Sequence, residues 1–213
     1  EELLELVMAL LRAQHREHKL EDAELRFQAA LDADDGAAAG RLIAAGVSAN
    51  GLDASGRSWL AQAARRSRGR VLRALLELGA DPNAADSIGF TPLMEAAREG
   101  AIGSMRLLLG AGARVDQRAA EQGLSMTALQ LAAVGGNLEA ITRLLELGAG
   151  VNVADRAGNT AMTWALYESH VDAARLLMAR GGDPDQRNAR GESLRSVAEQ
   201  YGIPGFAPAA GSR

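Results

Sequence analysis

Cysteine is absent from these 213 residues, which removes disulfides, thiolate nucleophiles and sulfur-based zinc sites without fixing a compartment. Aromatic residues make up only 3% and proline numbers five. With 47% hydrophobic residues, the interior must be filled by Ala and Leu, the make-up of close-packed short helices. Lysine occurs once against 22 arginines, a usage that hints at a GC-rich source. Positive charge is not in excess: the net charge is −4 and the pI near 5.5. That balance argues against general nucleic-acid affinity, which shows as a basic surface. No long apolar run exists; Leu3–Leu11 is interrupted by Glu5 and falls short of the roughly 20 residues a membrane span needs. The expected setting is cytoplasmic. The first residue is Glu1 rather than Met, which leaves a removed signal peptide, and with it a periplasmic or secreted protein, open.

What the sequence does have is a period. The glycines that close each Leu-rich run are Gly46, Gly79, Gly112, Gly148 and Gly181, at intervals of 33, 33, 36 and 33. A second series, Ser58, Thr91, Thr127, Thr160 and Ser193, steps by 33, 36, 33 and 33. Both place one three-residue insertion, near Ala119-Ala120-Glu121-Gln122. In Gly89-Phe90-Thr91-Pro92-Leu93-Met94-Glu95-Ala96-Ala97, a turn glycine precedes a Thr able to cap a helix and a Pro at its first position. Ala96-Ala97, like Ala63-Ala64 and Ala132-Ala133, permits close helix approach. Gly100, with Gly69 and Gly136 as its expected counterparts, ends the helix. A second helix follows, as in Leu72–Leu78 and Ile141–Leu147, with apolar positions every three or four residues. The connecting loop Gly79–Asp86 is dense in turn formers.

These residues resemble the ankyrin repeat, whose pattern runs Asp-x-x-Gly-x-Thr-Pro-Leu-His-x-Ala-Ala and then Leu-Leu-x-x-Gly-Ala-Asp-x-Asn. The resemblance spans about residues 20–201, best at Asp86–Asp116 and weakest in the first unit, where Phe27, Ala30, Leu31, Gly36, Gly46 and Asn50 keep register. It implies an all-α repeat solenoid of about five full units, 20–53, 54–86, 87–119, 120–155 and 156–188, with a partial unit at 189–201. An open stack needs caps. Residues 1–19 are expected to form an amphipathic capping helix directed onto the first repeat by Leu3, Val7, Leu10 and Leu11. In the tail, 202–213, Ile203 and Phe206 are expected to tuck against the last helix. The family His after Thr-Pro-Leu is replaced by Ala61, Met94, Gln130 and Thr163, so the Thr-to-His network between repeats is expected to be weak or absent.

A search for chemistry finds little. His170 stands where the family often has His at the start of the second helix and reads as structural. His15 and His18 lie three apart, but no second pair completes a metal shell, so no metal is expected. Gly110-Ala111-Gly112 lacks a phosphate-loop continuation. Asp53, Asp86, Asp116 and Asp155 recur once per repeat and read as turn-stabilising. No cofactor and no catalytic residue is expected; the chain is read as a non-enzyme.

The resemblance implies instead a protein partner on the concave side, lined by loop tips and first helices. Carried onto this sequence, the binding positions are Arg57, Arg65, Arg66, Ile88, Phe90, Arg98, Leu124, Met126, Arg156, Asn159 and Tyr167, with Ala54, Ser55, Ser87, Glu99, Val134 and Glu168 beside them. Ile88, Phe90, Met126 and Tyr167 stand out, because a turn tip or helix end has no folding reason to carry a large apolar group. An adaptor, an inhibitor and an immunity-type protein all fit. The Arg65–Arg73 cluster offers alternatives, an acidic protein patch or nucleic acid, and a purely structural scaffold is the third. The chain alone is expected to be monomeric, with no membrane contact.

Overall fold

The computed structural model describes residues 22–119 and 125–206; the expected capping helix 1–19, both His15 and His18, and Leu124 lie outside these. Helix α1 occupies 22–32 of the described chain. It is followed by α2 (Gly36–Ala44), α3 (Trp59–Arg65), α4 (Gly69–Glu77), α5 (Pro92–Arg98) and α6 (Ile102–Gly110). Then come α7 (Ala128–Val134), α8 (Leu138–Glu146), α9 (Ala161–Tyr167), α10 (Val171–Ala179) and α11 (Leu194–Gln200). There is no strand among the described residues beyond one isolated bridge between Leu52 and Ser58.

Each unit is built by the same local steps. Asp86 Oδ1 accepts from the backbone N–H groups of Ile88 and Phe90, and the Asp86 amide donates to the Phe90 carbonyl at 2.9 Å, closing a tight hairpin. Thr91 then caps α5, accepting from the Met94 amide, with Pro92 at the first helical position; the fixed φ of Pro suits that place and its missing N–H costs nothing there. Seven residues later the helix stops and Gly100 turns the chain at φ +68°. The residue of that register in the second unit is Ser67, at φ +56°, and not Gly69, which is the first residue of α4. A left-handed Ser is accepted where the surrounding unit fixes the turn.

Units stack through two layers. First helices α3, α5, α7, α9 and α11 lie side by side, while second helices α2, α4, α6 and α8, α10 form an outer row. Ala63, Ala64, Ala96, Ala97, Ala132, Ala133 and Ala165 are completely buried between the first helices; larger side chains would force that row apart. Leu72, Leu75, Leu108, Ile141, Leu144 and Leu177 fill the space between layers. At the start of the array Phe27 packs on Trp59 with ring centroids 4.9 Å apart.

Hydrogen bonds also pass between units. Asn50, Asn83 and Asn152 each accept, through Oδ1, from the amide of Asp81, Arg114 and Asp183 in the next unit. Asn83 and Asn152 also donate Nδ2 to the carbonyls of Gly112 and Gly181. Asp116 occupies this register and accepts from the Gly150 amide. It is therefore a rung between loops rather than the turn-stabilising aspartate expected; the hairpin position in that unit is Ala119, whose amide pairs with the Met126 carbonyl across the insertion.

The missing family His is compensated in one unit. Gln130, 1% exposed, accepts from the Thr127 amide and donates Nε2 to the carbonyls of Val153 and Asn159 in the following unit. The expectation of a weak or absent network fails here, because a Gln side chain carries both an acceptor and two donors. It holds at Ala61, which has no side-chain donor. Met94 fills the same register without strain, so Gln130→Met should pack. It leaves the Val153 carbonyl without its donor and takes one of two donors from the Asn159 carbonyl, which keeps the Asp155 amide, and is expected to cost about 2 kcal/mol, read by urea denaturation; a change within about 0.5 kcal/mol would show the bridge to be worthless.

Candidate functional site

The first helices and hairpins together form one inner face, and its chemistry changes along the array. Two registers define it: the hairpin aspartate and the first-helix residue nine positions later. In the second unit Gln62 Nε2 donates to Asp53 Oδ2 at 3.0 Å. In the fifth, Trp164 Nε1 donates to Asp155 Oδ2 at 2.8 Å. In the fourth both positions are apolar, Ala119 and Leu131, and both are buried. The third unit breaks the pattern: Asp86 faces Glu95, two carboxylates with no donor between them.

Glu95 Oε2 and Asp86 Oδ2 are buried and make no hydrogen bond, as is the case for Gln62 Oε1 and Arg57 Nε beside them. Arg98 Nη2 stands 3.3 Å from Glu95 Oε2, close enough for attraction but off the hydrogen-bond line. Burial pushes the Glu95 carboxyl above its usual range, Arg98 and Arg65 pull it back, and the Asp86 and Glu99 charges add to the rise.

Towards the C-terminal end the face is aromatic and fully bonded. Trp164 and Tyr167 meet edge to face at 5.9 Å. The Tyr167 hydroxyl donates to Glu192 Oε2 at 2.7 Å and accepts from Asn188 Nδ2. Burial and the Glu192 carboxylate push the Tyr167 hydroxyl up to about 12, while the Asn188 and Tyr167 hydrogen bonds hold Glu192 below the usual carboxylate range.

The positions expected to bind a partner divide accordingly. Ile88 is 61% exposed at its hairpin tip, and Arg156 is exposed on the fifth hairpin. Arg57, Arg65, Arg66, Arg98, Phe90 and Tyr167 are half-buried along the face. Phe90 packs partly on the core, as does Tyr167. Met126 and Asn159 are corrections, since both are buried. Asn159 Oδ1 accepts from Asn188 Nδ2 at 2.8 Å, so its amide serves the next unit. Sequence reading missed Gln62, Glu95 and Trp164, whose only signal was their shared register.

The Arg65–Arg73 cluster is not one patch. Arg65 and Arg66 end α3, whereas Arg70 and Arg73 sit exposed on α4. Arg66 Nη1 bonds Asp32 at 2.6 Å, and Arg57 lies 3.5 Å from Asp53. His170 precedes α10, its ring over Gly136 where a Cβ would collide with it, in keeping with a structural role. Among the described residues no group of His, Asp and Glu is arranged for a metal, and no helix is long and apolar enough to cross a membrane.

The model of the family described as ankyrin repeats (3 copies) matches residues 26–119 and 118–188. The chain belongs to the ankyrin-repeat family. Members of this family generally mediate protein–protein interaction and are typically non-catalytic. Among curated proteins, the chain is similar to human ankyrin repeat domain-containing protein 63, 44% identical over 50 residues, 24% of this chain and 13% of that protein. It is similar to the potassium channel AKT1 of Oryza sativa subsp. indica, 36% identical over 64 residues, covering 30% of this chain and 7% of the channel. Human protein phosphatase 1 regulatory subunit 27 is 36% identical over 67 residues, 32% of this chain and 44% of the subunit. The chain thus covers less than half the length of each of these relatives.

Proposed function

We propose that this ankyrin array is a non-catalytic binding module that holds a protein partner along its inner face, with Ile88 as the apolar anchor and Arg57, Arg65, Arg66 and Arg98 as its charged border. The observation that carries this reading is Ile88. A β-branched side chain at a hairpin tip, 61% exposed, contributes almost nothing to folding, and a large apolar group left in water is the kind of residue an interface covers. Adaptor, inhibitor and immunity-type roles all use such a face. The regulatory subunit among the relatives supports a role of that class. Partial pairing of the arginines with Asp32, Asp53, Glu95 and Glu99 favours a protein over a polyanion, whose binding needs many unpaired cations.

The test compares two faces. A partner captured on the wild-type chain is measured by calorimetry against Ile88→Glu and against Leu147→Glu, an exposed leucine after α8 in the outer row. Ile88→Glu is expected to weaken binding at least about tenfold, or ~1.4 kcal/mol, with thermal stability unchanged because the site is a surface one. Leu147→Glu is expected to bind as wild type. Equal losses for both, or none for Ile88→Glu, would remove the inner face from consideration.

A further inference from the structure

The hairpin tips carry a more specific reading, which rests on the proposal that a protein partner docks on this side of the array. Neighbouring tips are joined through their backbones. The Ser87 amide donates to the Gly56 carbonyl at 2.9 Å, and the Ala189 amide to the Ala157 carbonyl at 2.8 Å. Ser87 and Ala189 each follow the residue that opens their hairpin, Asp86 and Asn188, so the residue of that register in the second unit is Ala54. Its tip has no preceding hairpin to join, because positions 22–24, one period before Ser55–Arg57, are helical and belong to α1. Asp53 Oδ1 holds the amides of Ser55 and Arg57. Ala54 is exposed, and its own amide makes no hydrogen bond among the described residues.

A helix in the place of a hairpin also leaves a groove beside this amide. It measures about 370 Å³ and is lined by Glu24, Leu25 and Gln28 of α1 with Asp53, Ala54 and Trp59 of the second unit. Leu25 is the telling residue. At its register the later units have Ser58, Thr91, Thr127, Thr160 and Ser193, all buried helix caps. A leucine cannot cap, and this one stands 71% exposed.

We infer that this end of the tip row is a docking edge for an extended segment of the protein partner, whose backbone carbonyl takes the Ala54 N–H and whose large apolar side chain fills the groove against Leu25 and Trp59. The other units show what chemistry the edge takes. Where Ser87 and Ala189 stand, the group that meets this amide is a backbone carbonyl from the adjoining tip. Main-chain bonding then supplies affinity and the groove supplies the choice of side chain, as in the addition of a strand to an open edge. The Ser87–Gly56 bond ties the second tip to the third, so the groove continues into the exposed Ile88 and one partner covers both.

The experiment uses the full ¹⁵N-labelled chain and the capped peptide acetyl-Gly-Thr-Leu-Thr-Gly-amide, with a control peptide that has Ala in place of Leu. The leucine peptide is expected to move the Ala54 and Ser55 amide signals along a saturating curve at about 1–10 mM and to slow exchange of the Ala54 amide with solvent. The alanine peptide is expected to bind at least about tenfold more weakly. Two variants separate the contacts. Ala54→Pro removes the donor alone: the Gly56 amide closes this turn on the Asp53 carbonyl and neither Ala54 nor Ser55 has a positive φ, a turn that favours Pro at its second residue. Leu25→Asp removes the apolar wall at an exposed site, where folding tolerates the change. Both are expected to melt as wild type and to weaken the leucine peptide at least about tenfold, read on Ser55. Signals unmoved at about 50 mM leucine peptide, an alanine peptide that binds as tightly, or a leucine peptide that binds both folded variants as it binds wild type would each overturn the docking edge. An Ala54 amide protected from exchange in the free chain, and released when residues 1–19 are removed, would do the same by showing that the chain fills its own groove. Loss of partner binding in Ile88→Glu with none in Ala54→Pro or Leu25→Asp would sink this inference alone and leave Ile88 as the anchor.

Discussion

Phe206→Ala is expected to lower the melting temperature by about 6–12 °C, for a loss of about 3 kcal/mol, and to strip protection from the last helices first. The final unit has a first helix, α11, and no described second helix. Its apolar side would meet water without a cover. The chain provides one from the tail. After α11, Gly202 turns at φ +64° and the Ile203 amide donates to the Ala198 carbonyl at 2.8 Å. Phe206 then enters the core at 2% exposure, with its carbonyl accepting from Arg195 Nη1 and the Pro204 carbonyl from Arg175 Nη2. Among the described residues, Phe206 thus joins the core beside α11. The lower part of the large-to-small range applies, because a terminal segment can partly collapse into the space left behind. Hydrogen exchange should show faster opening of α11, then α9 and α10, with α3 to α5 unaffected, the pattern of a stack coupled only to its neighbours. A melting temperature within about 2 °C of wild type and unchanged exchange in α11 would mean that the tail is no cap.

The second large effect comes from one methyl group. Gly135→Ala is expected to destabilise by about 3 kcal/mol, although nothing in its backbone forbids alanine: φ is −76°. The obstacle is the neighbouring unit. A Cβ on Gly135 would overlap the backbone carbonyl oxygen of Arg98 and the Nδ2 of Asn137. That amide donates to the Ala97 and Arg98 carbonyls, closing the end of α5, whose last carbonyls have no partner within the helix. The methyl therefore pushes α5 and α7 apart and opens the clamp. Gly103→Ala is the counterpart. Gly103 lies inside α6 with open space around its Cα, so alanine there is expected to add about 1 kcal/mol through helix propensity alone. Urea denaturation of the two proteins should give shifts of opposite sign. Shifts of the same sign would mean that inter-unit contact does not set the tolerance of Gly135.

The two glycines show where reading the sequence stops. Each sits beside or within a helix of the same period, and only the position of Arg98 from the preceding unit, held by Asn137, separates them. Met126 and Ile88 repeat the lesson. Both are large apolar residues near a hairpin and both looked exposed, yet Met126 is buried, as is Asn159 at the same register of the next unit, while Ile88 is 61% exposed. Asp116 was misplaced because its residue type was counted rather than its register: it stands 30 residues after Asp86 but 33 after Asn83, so the period itself gives it the rung between loops and gives Ala119 the hairpin.

The sequence by itself determined the period, the paired short helices, their caps and the family. These follow from bonds made within about thirty consecutive residues, such as Thr91 to Met94 or Asp86 to Phe90, and local bonds are written in local order. The tertiary structure alone decided what each unit presents to the next. Gln130 reaches carbonyls 23 and 29 residues on, Asn137 reaches back to the preceding unit, and Glu95 faces Asp86 with no donor between them. Whether a polar group is satisfied depends on which atoms of other units surround it, and that is fixed only when the units stack.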